Sequence, residues 1–414
     1  MEHRVVVTGM GVISCIGQDV NTFWKSLING VCGIDYVESF KDMPVNFAGK
    51  VKDFDPERYG IEKPLVRKQD NFTLYAMAAA WQAMQQSGLV SDENIDPYKL
   101  GVYVGSGIGG FDVQFRETAK MIEDPSGKWI SPLFIATMIS NIAAGHIAIK
   151  HQAKGPCLDI VTACATSSHC IGEAFRAIRH GYAEAIIAGG SEHATIPLGV
   201  AGFYNAKALT RATDPKYSSL PFNANRQGFV MGDGSAVLVL ESLDHALQRG
   251  ATIYGEIVGY GNTCDAYHAT APRPDASTQA RSIKDALTEA GFDPSKDNLY
   301  INAHGTGTHL NDLAETLACK LALGDFAYKA HISSTKSMTG HMFGAAGAAE
   351  AIATILALRE GIIPPTINLD TPDPECDLDF TPNVAVESPI TLGLSNSFGF
   401  GGHNACVAFR PYKG

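Results

Sequence analysis

One cysteine stands where a strand-like run is expected to give way to a helix. Cys164 lies in DIVTACATSSHCIGEAFRAI (159–178), where an apolar run leads into an amphipathic helical pattern. A thiol at a helix N-terminus meets the positive end of the helix dipole and unpaired N–H groups, which favour the nucleophilic thiolate. Buried cysteines are commonly just small hydrophobic residues, so the turn by itself leaves both interpretations open. We expect the hydrophobic role for Cys157, Cys170, Cys319 and Cys406.

Two histidines occupy comparable turns. His304 follows a strand-like run in YINAHGTGTHLND, and His341 does so in SSTKSMTGHMFGAAG. A single histidine in such a turn is more often structural than catalytic, but two beside small residues, together with a strand-end cysteine, predict a shared site with room for a substrate. Neutral imidazoles there can donate hydrogen bonds to a developing oxyanion or enolate. Lys336 and Glu350 could pair nearby as a buried salt bridge that orients the site.

Four glycine-rich turns also follow strand-like runs, at 8–14, 105–110, 188–192 and 396–404. Two of them superficially resemble dinucleotide-binding loops. The first lacks the third glycine, since Ser14 takes that place, and no acidic residue ends a following strand in a tidy βαβ unit. We therefore do not expect a nicotinamide site. Close packing of strand ends explains the glycines of the first and third turns.

The elements that must position these turns are those of an α/β protein. Short β-branched runs alternate with helix-period segments, a pattern typical of sheets covered by helices on both faces. A helix ending at Gly88 precedes the strand 100–105, as a helix ending at Gly291 precedes the strand 299–303. In the same way, the strand 160–163 and its helix have a counterpart downstream. The sequence thus predicts an internal duplication.

Composition excludes several classes of protein. The 414 residues are 45% hydrophobic and 18% charged, as in globular proteins, and the net charge of −11 argues against nucleic acid or anionic lipid as a partner. Nine cysteines without a CxxC pair indicate a reducing compartment. The N-terminus carries no signal pattern and the apolar stretches are too short to span a membrane, so we expect a cytoplasmic protein.

Taken together, TACATSS, NAHGTGT, SSTKSMTGH and NSFGFGG resemble the signature blocks of the β-ketoacyl-acyl carrier protein synthases, condensing enzymes of the thiolase superfamily. The resemblance spans the chain, and its length and ISPLF…AGH segment are most similar to type II of bacterial fatty acid synthesis. It implies a thiolase-like α/β fold of duplicated halves in a five-layered αβαβα arrangement with mixed sheets. Residues 1–254 would carry the nucleophilic cysteine and an insertion around 108–158, and residues 255–414 the two histidines.

The resemblance implies an acyltransferase that lengthens fatty acids by two carbons through decarboxylating Claisen condensation. Cys164 would accept the acyl chain as a thioester. His304 and His341 would bind the malonyl thioester carbonyl, promote loss of carbon dioxide and stabilise the enolate. The backbone N–H groups of Cys164 and Phe400 would form the oxyanion hole, and Phe400 would also gate access to the thiol.

The same resemblance assigns supporting roles. Lys336 would organise the histidines, with Glu350 as its partner. Residues that would contact the phosphopantetheine arm, belong to a gating loop or line the acyl pocket are Thr306, Thr308, Thr270, Ile108, Phe203 and Phe398. Some relatives bind a cation near positions matching Asn302, Glu315, Glu350, Ser395 and Asn396, but we predict no catalytic metal.

The implied partners are an acyl- or malonyl-loaded acyl carrier protein and a second copy of the chain in a homodimer. No cofactor of its own is needed, because phosphopantetheine arrives on the carrier protein. The carrier is acidic in this family, so a positive docking patch is expected on this anionic protein, the alternative being an ordinary solvated surface. The candidate residues are Lys63, Arg67, Lys68, Lys128, Lys207 and Arg211.

Two departures leave the substrate open. Gly307 and His309 stand where many type II relatives have serine and proline, and the GTGT version also occurs in polyketide ketosynthases. A polyketide-type ketosynthase is therefore one alternative. A non-catalytic partner subunit is another, although the presence of Cys164, His304 and His341 speaks against it.

Overall fold

Ten strands form one continuous mixed sheet in the computed structural model, which describes residues 2–414. The strands in chain order are β1 (Val5–Ile13), β2 (Asp35–Tyr36), β3 (Phe47–Ala48), β4 (Leu100–Gly105), β5 (Cys157–Leu158), β6 (Ala185–Glu192), β7 (Gly234–Ser242), β8 (Gly255–Cys264), β9 (Leu299–Asn302), β10 (His331–Ser333), β11 (Ile362–Ile363), β12 (Val386–Glu387), β13 (Leu392–Gly399) and β14 (His403–Arg410). The helices are α1 (Val20–Ile28), α2 (Lys63–Val66), α3 (Asn71–Ser87), α4 (Phe111–Glu123), α5 (Phe134–Met138), α6 (Ile142–His151), α7 (Thr166–Arg179), α8 (Pro197–Asn205), α9 (Leu243–Gln248), α10 (Ser277–Glu289), α11 (His309–Leu323), α12 (Lys336–Thr339) and α13 (Ala346–Glu360).

The sheet repeats one strand pattern twice. Its order is β10-β9-β13-β14-β8-β1-β7-β6-β4-β5, so that β8 and β1 meet at the centre. On each side of that centre two antiparallel pairings are followed by two parallel ones. The two mixed sheets expected from the sequence are thereby joined edge to edge, through Val5–Val7 of β1 and Gly255–Ile257 of β8. This repeat is the internal duplication that the sequence predicts.

Helices complete five layers. On one outer face α3 packs against β1, β6 and β7, and on the other α10 packs against β8 and β14. Between the two halves of the sheet, α7 and α13 contact each other and strands of both halves. Helix α13 is buried on all sides from Ala346 to Leu358, as a middle layer requires. The predicted five-layered α/β arrangement is confirmed.

Glycines in β1 allow α3 to lie close to the sheet. A Cβ atom at Gly9 would come within 2.1 Å of the Ala83 carbonyl oxygen, and one at Gly11 within 2.0 Å of the Ala79 carbonyl oxygen. Any larger residue would push the helix away. The packing explanation for the first glycine-rich turn therefore agrees with the structure.

The edge of the sheet differs from the prediction near the cysteine. We expected a strand over 160–163, but β5 ends at Leu158 and the chain enters a 3₁₀ turn at Ala163–Ala165. Only Cys157 and Leu158 pair with β4, because the chain then leaves the sheet edge to reach the middle layer.

No helix within residues 2–414 is both long and apolar enough to cross a bilayer.

Candidate active site

The structure brings Cys164, His304 and His341 together. Cys164 lies in the turn before α7, His304 follows β9, and His341 follows α12. The Cys164 sulfur, one ring nitrogen of His304 and one ring nitrogen of His341 all lie within 4.8 Å of one another. The two imidazole rings have centroids 5.4 Å apart and stand nearly perpendicular, at 83°. Three segments far apart in sequence therefore converge on one small space.

The turn that carries the cysteine has a counterpart in the second half. Ala163–Ala165 and Phe343–Ala345 are both 3₁₀ turns that lead into a middle-layer helix. The first residue of each turn has a left-handed backbone, with φ of 51° and 47°. Non-glycine residues adopt this conformation at a cost, and such strained residues cluster at active sites. Cys164 is the second residue of its turn, where the counterpart has Gly344.

Burial and nearby charges act in opposite directions on the Cys164 thiol. The low-polarity surroundings raise the pKa of the Cys164 thiol to about 12. The positive charge of Lys336 and the backbone N–H groups of Phe400 and Cys164 lower that pKa, but by less than burial raises it. Burial therefore opposes the thiolate that the position at the start of the helix favours.

Both histidines are held neutral. Burial lowers the pKa of His304 and of His341 well below the ordinary value, and the charge of Lys336 adds to the effect. The Phe343 backbone N–H donates to Nδ1 of His341 at 3.3 Å, which places the proton of this ring on Nε2. Nε2 of His341 and Nδ1 of His304 are buried without a hydrogen-bond partner in the protein. His341 is thus poised to donate to a ligand.

Lys336 and Glu350 form the expected ion pair. Their side chains are 1% and 3% exposed, and burial raises the pKa of Glu350 to about 7 although Lys336 opposes this. The Lys336 charge also lowers the pKa of Cys164 and of both histidines. One buried cation therefore acts on all three groups.

A cavity of about 530 Å³ opens in front of these groups. It is large enough for a slender substrate. Every site residue predicted from the sequence lines it, with the exception of the buried Lys336–Glu350 pair. The lining residues from that prediction are Ile108, Cys164, Phe203, Thr270, His304, Thr306, Thr308, His341, Phe398 and Phe400.

Two loops cross the cavity next to the cysteine. The Phe400 side chain is 37% exposed, and its backbone N–H faces the Cys164 sulfur. The neighbouring Gly401 N–H donates to the Ala269 carbonyl at 2.7 Å, and the Asp265 N–H donates to the Gly402 carbonyl at 2.8 Å. Backbone hydrogen bonds thus tie the Phe400 loop to the loop that carries Thr270.

Aromatic rings form the opposite wall. Phe203 stacks on Phe343 with ring centroids 5.0 Å apart, and Phe343 stacks on the His341 ring, also at 5.0 Å. Phe398 lies 5.8 Å from His304, edge to face. The wall is apolar, so it suits a hydrocarbon chain.

Sequence reasoning missed Glu192, which lines the same cavity. This residue ends β6 and is fully buried. We had explained its turn, 188–192, by glycine packing alone. An acidic residue at the carboxyl end of an otherwise apolar strand is the signal that could have drawn attention to it.

A second polar cluster lies deeper. Side-chain atoms of Asn302, Ser395 and Glu350 are buried without a hydrogen-bond partner. Glu315 accepts hydrogen bonds from the backbone N–H groups of 304–305, and burial raises its pKa to about 7. Oxygen atoms are the ligands that small hard cations prefer, so the chemistry of these residues is compatible with the cation site that the sequence resemblance suggests.

The predicted docking residues are all on the surface. Lys63 lies 3.5 Å from Glu57, and Lys128 lies 3.2 Å from Asp124, so part of the charge is neutralised. Lys207 lines the cavity itself. The exposed set comprises Lys63, Arg67, Lys68, Lys128, Lys207 and Arg211.

Comparison with known proteins covers the whole chain. The family models "Beta-ketoacyl synthase, N-terminal domain" and "Beta-ketoacyl synthase, C-terminal domain" match residues 2–246 and 254–370. The 3-oxoacyl-[acyl-carrier-protein] synthase 2 of Synechocystis sp. is 48% identical over 416 residues, with 100% of this chain and 99% of that protein covered. The protein of the same name from Coxiella burnetii is 47% identical, with 98% of each covered.

Two solved structures have the same fold. A beta-ketoacyl synthase from Burkholderia phymatum STM815 aligns with a TM-score of 0.92 at 33% identity, covering 99% of this chain and 100% of that one. The second is described as a type II PKS acyl-carrier protein in complex with its ketosynthase bound to the hexaketide. It aligns with a TM-score of 0.91 at 34% identity, covering 100% of both chains. The thiolase-like fold implied by the sequence resemblance is confirmed.

Proposed function

This chain belongs to the β-ketoacyl synthase family, and from that membership we propose that it is a 3-oxoacyl-acyl carrier protein synthase that elongates fatty acids. The observation that carries the proposal is the convergence of a cysteine and two neutral histidines on one apolar cavity. The 48% and 47% identity to proteins named 3-oxoacyl-acyl carrier protein synthase 2 supports the fatty acid assignment.

In the first half-reaction Cys164 attacks the thioester carbonyl of an acyl carrier protein. Burial raises the pKa of the free thiol, so the proton leaves as the sulfur attacks. The tetrahedral oxyanion accepts hydrogen bonds from the backbone N–H groups of Cys164 and Phe400. The C–S bond to the carrier breaks, its sulfur takes up the proton, and the acyl chain remains on Cys164.

The second half-reaction uses the histidines. The malonyl thioester carbonyl accepts hydrogen bonds from His341 Nε2–H and from His304, which stabilise the negative charge that develops as carbon dioxide leaves. The resulting enolate carbon attacks the acyl carbonyl on Cys164, and the Cys164 sulfur departs as a thiolate that takes up a proton from water. The product is a 3-oxoacyl thioester two carbons longer.

The positions of several further residues indicate supporting roles in the reaction. Burial keeps both imidazoles neutral and so able to donate without carrying charge, and the positive charge of Lys336, paired with Glu350, adds to this effect. Thr306 and Thr308 offer hydroxyl groups to the amides of the phosphopantetheine arm on the cavity wall. A cation held by Asn302, Glu315, Ser395, Asn396 and Glu350 would contribute positive charge behind the histidines.

The partner that delivers the arm is an acyl carrier protein. A solved relative at 34% identity is described as a ketosynthase in complex with an acyl-carrier protein, which supports this assignment. The exposed basic residues, with Lys207 at the cavity, provide charge for an acidic carrier. No cofactor of the enzyme's own enters the reaction.

Other properties are part of the proposal. Exposed apolar side chains in the 108–158 insertion, such as Ile122 at 77% and Trp129 at 65%, support a homodimer interface there. The nine cysteines are all unpaired, which supports a reducing cytoplasm. We divide the chain into functional halves at 1–254 and 255–414, which matches the repeat of the sheet.

A polyketide ketosynthase is the second candidate, favoured by the GTGT turn around Gly307 and by the polyketide relative of known structure. A condensation assay separates the two. Acyl carrier protein thioesters of increasing chain length are offered with malonyl carrier protein, using a fatty acid carrier and a polyketide carrier in parallel. We expect 3-oxoacyl products with saturated primers on the fatty acid carrier. Turnover with the polyketide carrier alone would overturn the fatty acid assignment.

A further inference from the structure

The Glu192 carboxylate joins two parts of the cavity wall. On one side it accepts hydrogen bonds from the Ser106 hydroxyl at 2.7 Å and from the backbone N–H groups of Gly107 and Ile108 at 2.9 and 3.1 Å. On the other it accepts one from the Gly344 N–H at 3.0 Å. Four donors from two distant segments thus meet on one buried side chain.

The fit around this carboxylate is tight. A Cβ atom at Gly107 would lie 2.7 Å from Oε2 of Glu192, and one at Gly344 would lie 2.8 Å from it. Only a backbone without a side chain can approach so closely. The two glycines therefore bring their loops onto the acid.

Each loop leads to a working part of the site. Ile108 lies on the cavity wall assigned to the acyl chain. Gly344 is adjacent to Phe343, whose N–H fixes the proton of His341 and whose ring stacks on the imidazole. Any shift of the Gly344 turn would move the donor to His341 Nδ1.

We propose that Glu192 is a positioning residue for condensation, which holds the Ile108 wall and the His341 turn in one fixed relation. The inference rests on the proposed function. Glu192 thereby connects the wall that receives the acyl chain directly to the turn of the histidine that activates the malonyl group. Glu192 touches neither reacting carbon and acts through these two loops.

The role requires a carboxylate. Each oxygen of Glu192 accepts two hydrogen bonds, Oε1 from Ser106 and Ile108, and Oε2 from Gly107 and Gly344. Glutamine has one acceptor oxygen, and its NH₂ group would face two N–H or O–H donors. Glu192→Gln therefore keeps the size of the side chain and leaves two of the four donors without an acceptor, either Ser106 and Ile108 or Gly107 and Gly344.

The test compares Glu192→Gln with the wild type in three assays. We expect acylation of Cys164 to change by about twofold or less, and malonyl decarboxylation and condensation to fall by roughly 10- to 100-fold, since small misplacements of catalytic groups have effects of this size. A matched control is Glu117→Gln, because Glu117 is also a buried acceptor, from Lys120 and the Ser131 N–H, and it does not line the cavity. The control should leave the ratio of acylation to decarboxylation unchanged.

A milder variant tests the link even if Glu192→Gln folds poorly. Ser106→Ala removes one donor on the Ile108 side and leaves Gly344 bonded. We expect it to alter the preference between long and short primers more than it alters malonyl decarboxylation. The opposite order, or wild-type condensation in Glu192→Gln with normal melting temperature, would overturn the positioning role and leave the proposed function intact. Absence of condensation in the wild type would overturn both.

Discussion

The backbone N–H of Phe343 donates a hydrogen bond to Nδ1 of His341 at 3.3 Å. This contact leaves the proton of the imidazole on Nε2, which is buried and has no partner in the protein. The ring is therefore a donor toward the cavity, and its neutral state lets it act without first losing a proton. The chemistry of the site depends on this assignment.

Replacing His341 with residues that keep or remove a donor tests its role. His341→Gln retains an N–H donor of similar reach, whereas His341→Phe retains only the ring. We expect malonyl decarboxylation to fall by roughly 10²- to 10³-fold in His341→Phe, the usual effect of losing one oxyanion donor, and by clearly less in His341→Gln. Release of carbon dioxide from malonyl carrier protein measures both. Equal losses in the two variants would argue against hydrogen-bond donation by His341.

The two imidazoles should stay neutral across the working pH range. Their pKa values lie well below the ordinary 6.5 because burial and Lys336 disfavour the charged form, so falling pH protonates them only far below that value. NMR of histidine-labelled protein from about pH 6 to about pH 8 should show no titration for these two rings, although exposed histidines titrate there. Signals missing in His304→Ala and His341→Ala identify the rings. A titration midpoint near 6.5 for either would contradict the assignment.

Substitutions in the Lys336–Glu350 pair should change the free energy of unfolding and the condensation activity differently. Lys336→Met leaves an unpaired buried carboxyl and should lower the free energy of unfolding by about 3–5 kcal/mol. Adding Glu350→Leu removes that group and should recover most of the loss. Denaturant unfolding measures this, and condensation should stay low in both variants, because the positive charge that acts on Cys164 and on both histidines is gone. Recovered activity in the double variant would reduce the pair to a structural role.

The volume beside Ile108 should limit the acyl chain. Ile108→Phe fills part of the cavity, so long primers should lose affinity before short ones, with each excluded methylene costing about 0.8 kcal/mol. Acylation rates across a series of primers measure the effect. The control is Leu247→Phe, at a side chain 55% exposed on α9. If long and short primers were affected equally, Ile108 would not line the acyl pocket.

Much of the fold could be predicted from the sequence because periodicity and repeated order are local signals. The helix ending at Gly88 and the strand after it appear where expected, and the second half repeats them. The pairing of β1 with β8 was not predictable, since nothing in either strand marks the partner of its outer edge. The strand expected over 160–163 was wrong for a related reason, because an apolar run does not show where the chain leaves a sheet.

The site likewise has features that local sequence reveals and features that depend on the fold. Cys164, His304 and His341 stand out because of their residue types and the small residues in their turns. The pKa of the thiol depends on burial, which no local pattern reports, so the opposing effect of burial could not be predicted from the turn. Glu192 was missed because its donors come from 106–108 and from Gly344, which only the fold brings together.

Replacing the nucleophilic cysteine should abolish condensation but spare some malonyl decarboxylation. Cys164→Gln cannot form an acyl thioester, so condensation should be abolished, while the histidines still face the cavity and some malonyl decarboxylation should remain. Measuring both activities on one preparation checks this. Condensation at the wild-type rate in the variant would contradict the mechanism.

The most direct test is the mass of the Cys164 peptide after incubation with an acyl carrier protein thioester. Cys157 is exposed, so the buried hydrophobic role expected for it was wrong, and together with the exposed Cys264 it serves as an internal control in the same digest. The proposed mechanism predicts the acyl mass on Cys164, its absence from the two controls, and its loss when malonyl carrier protein is added. A Cys164 peptide that stays unmodified while the protein still forms 3-oxoacyl product would contradict it.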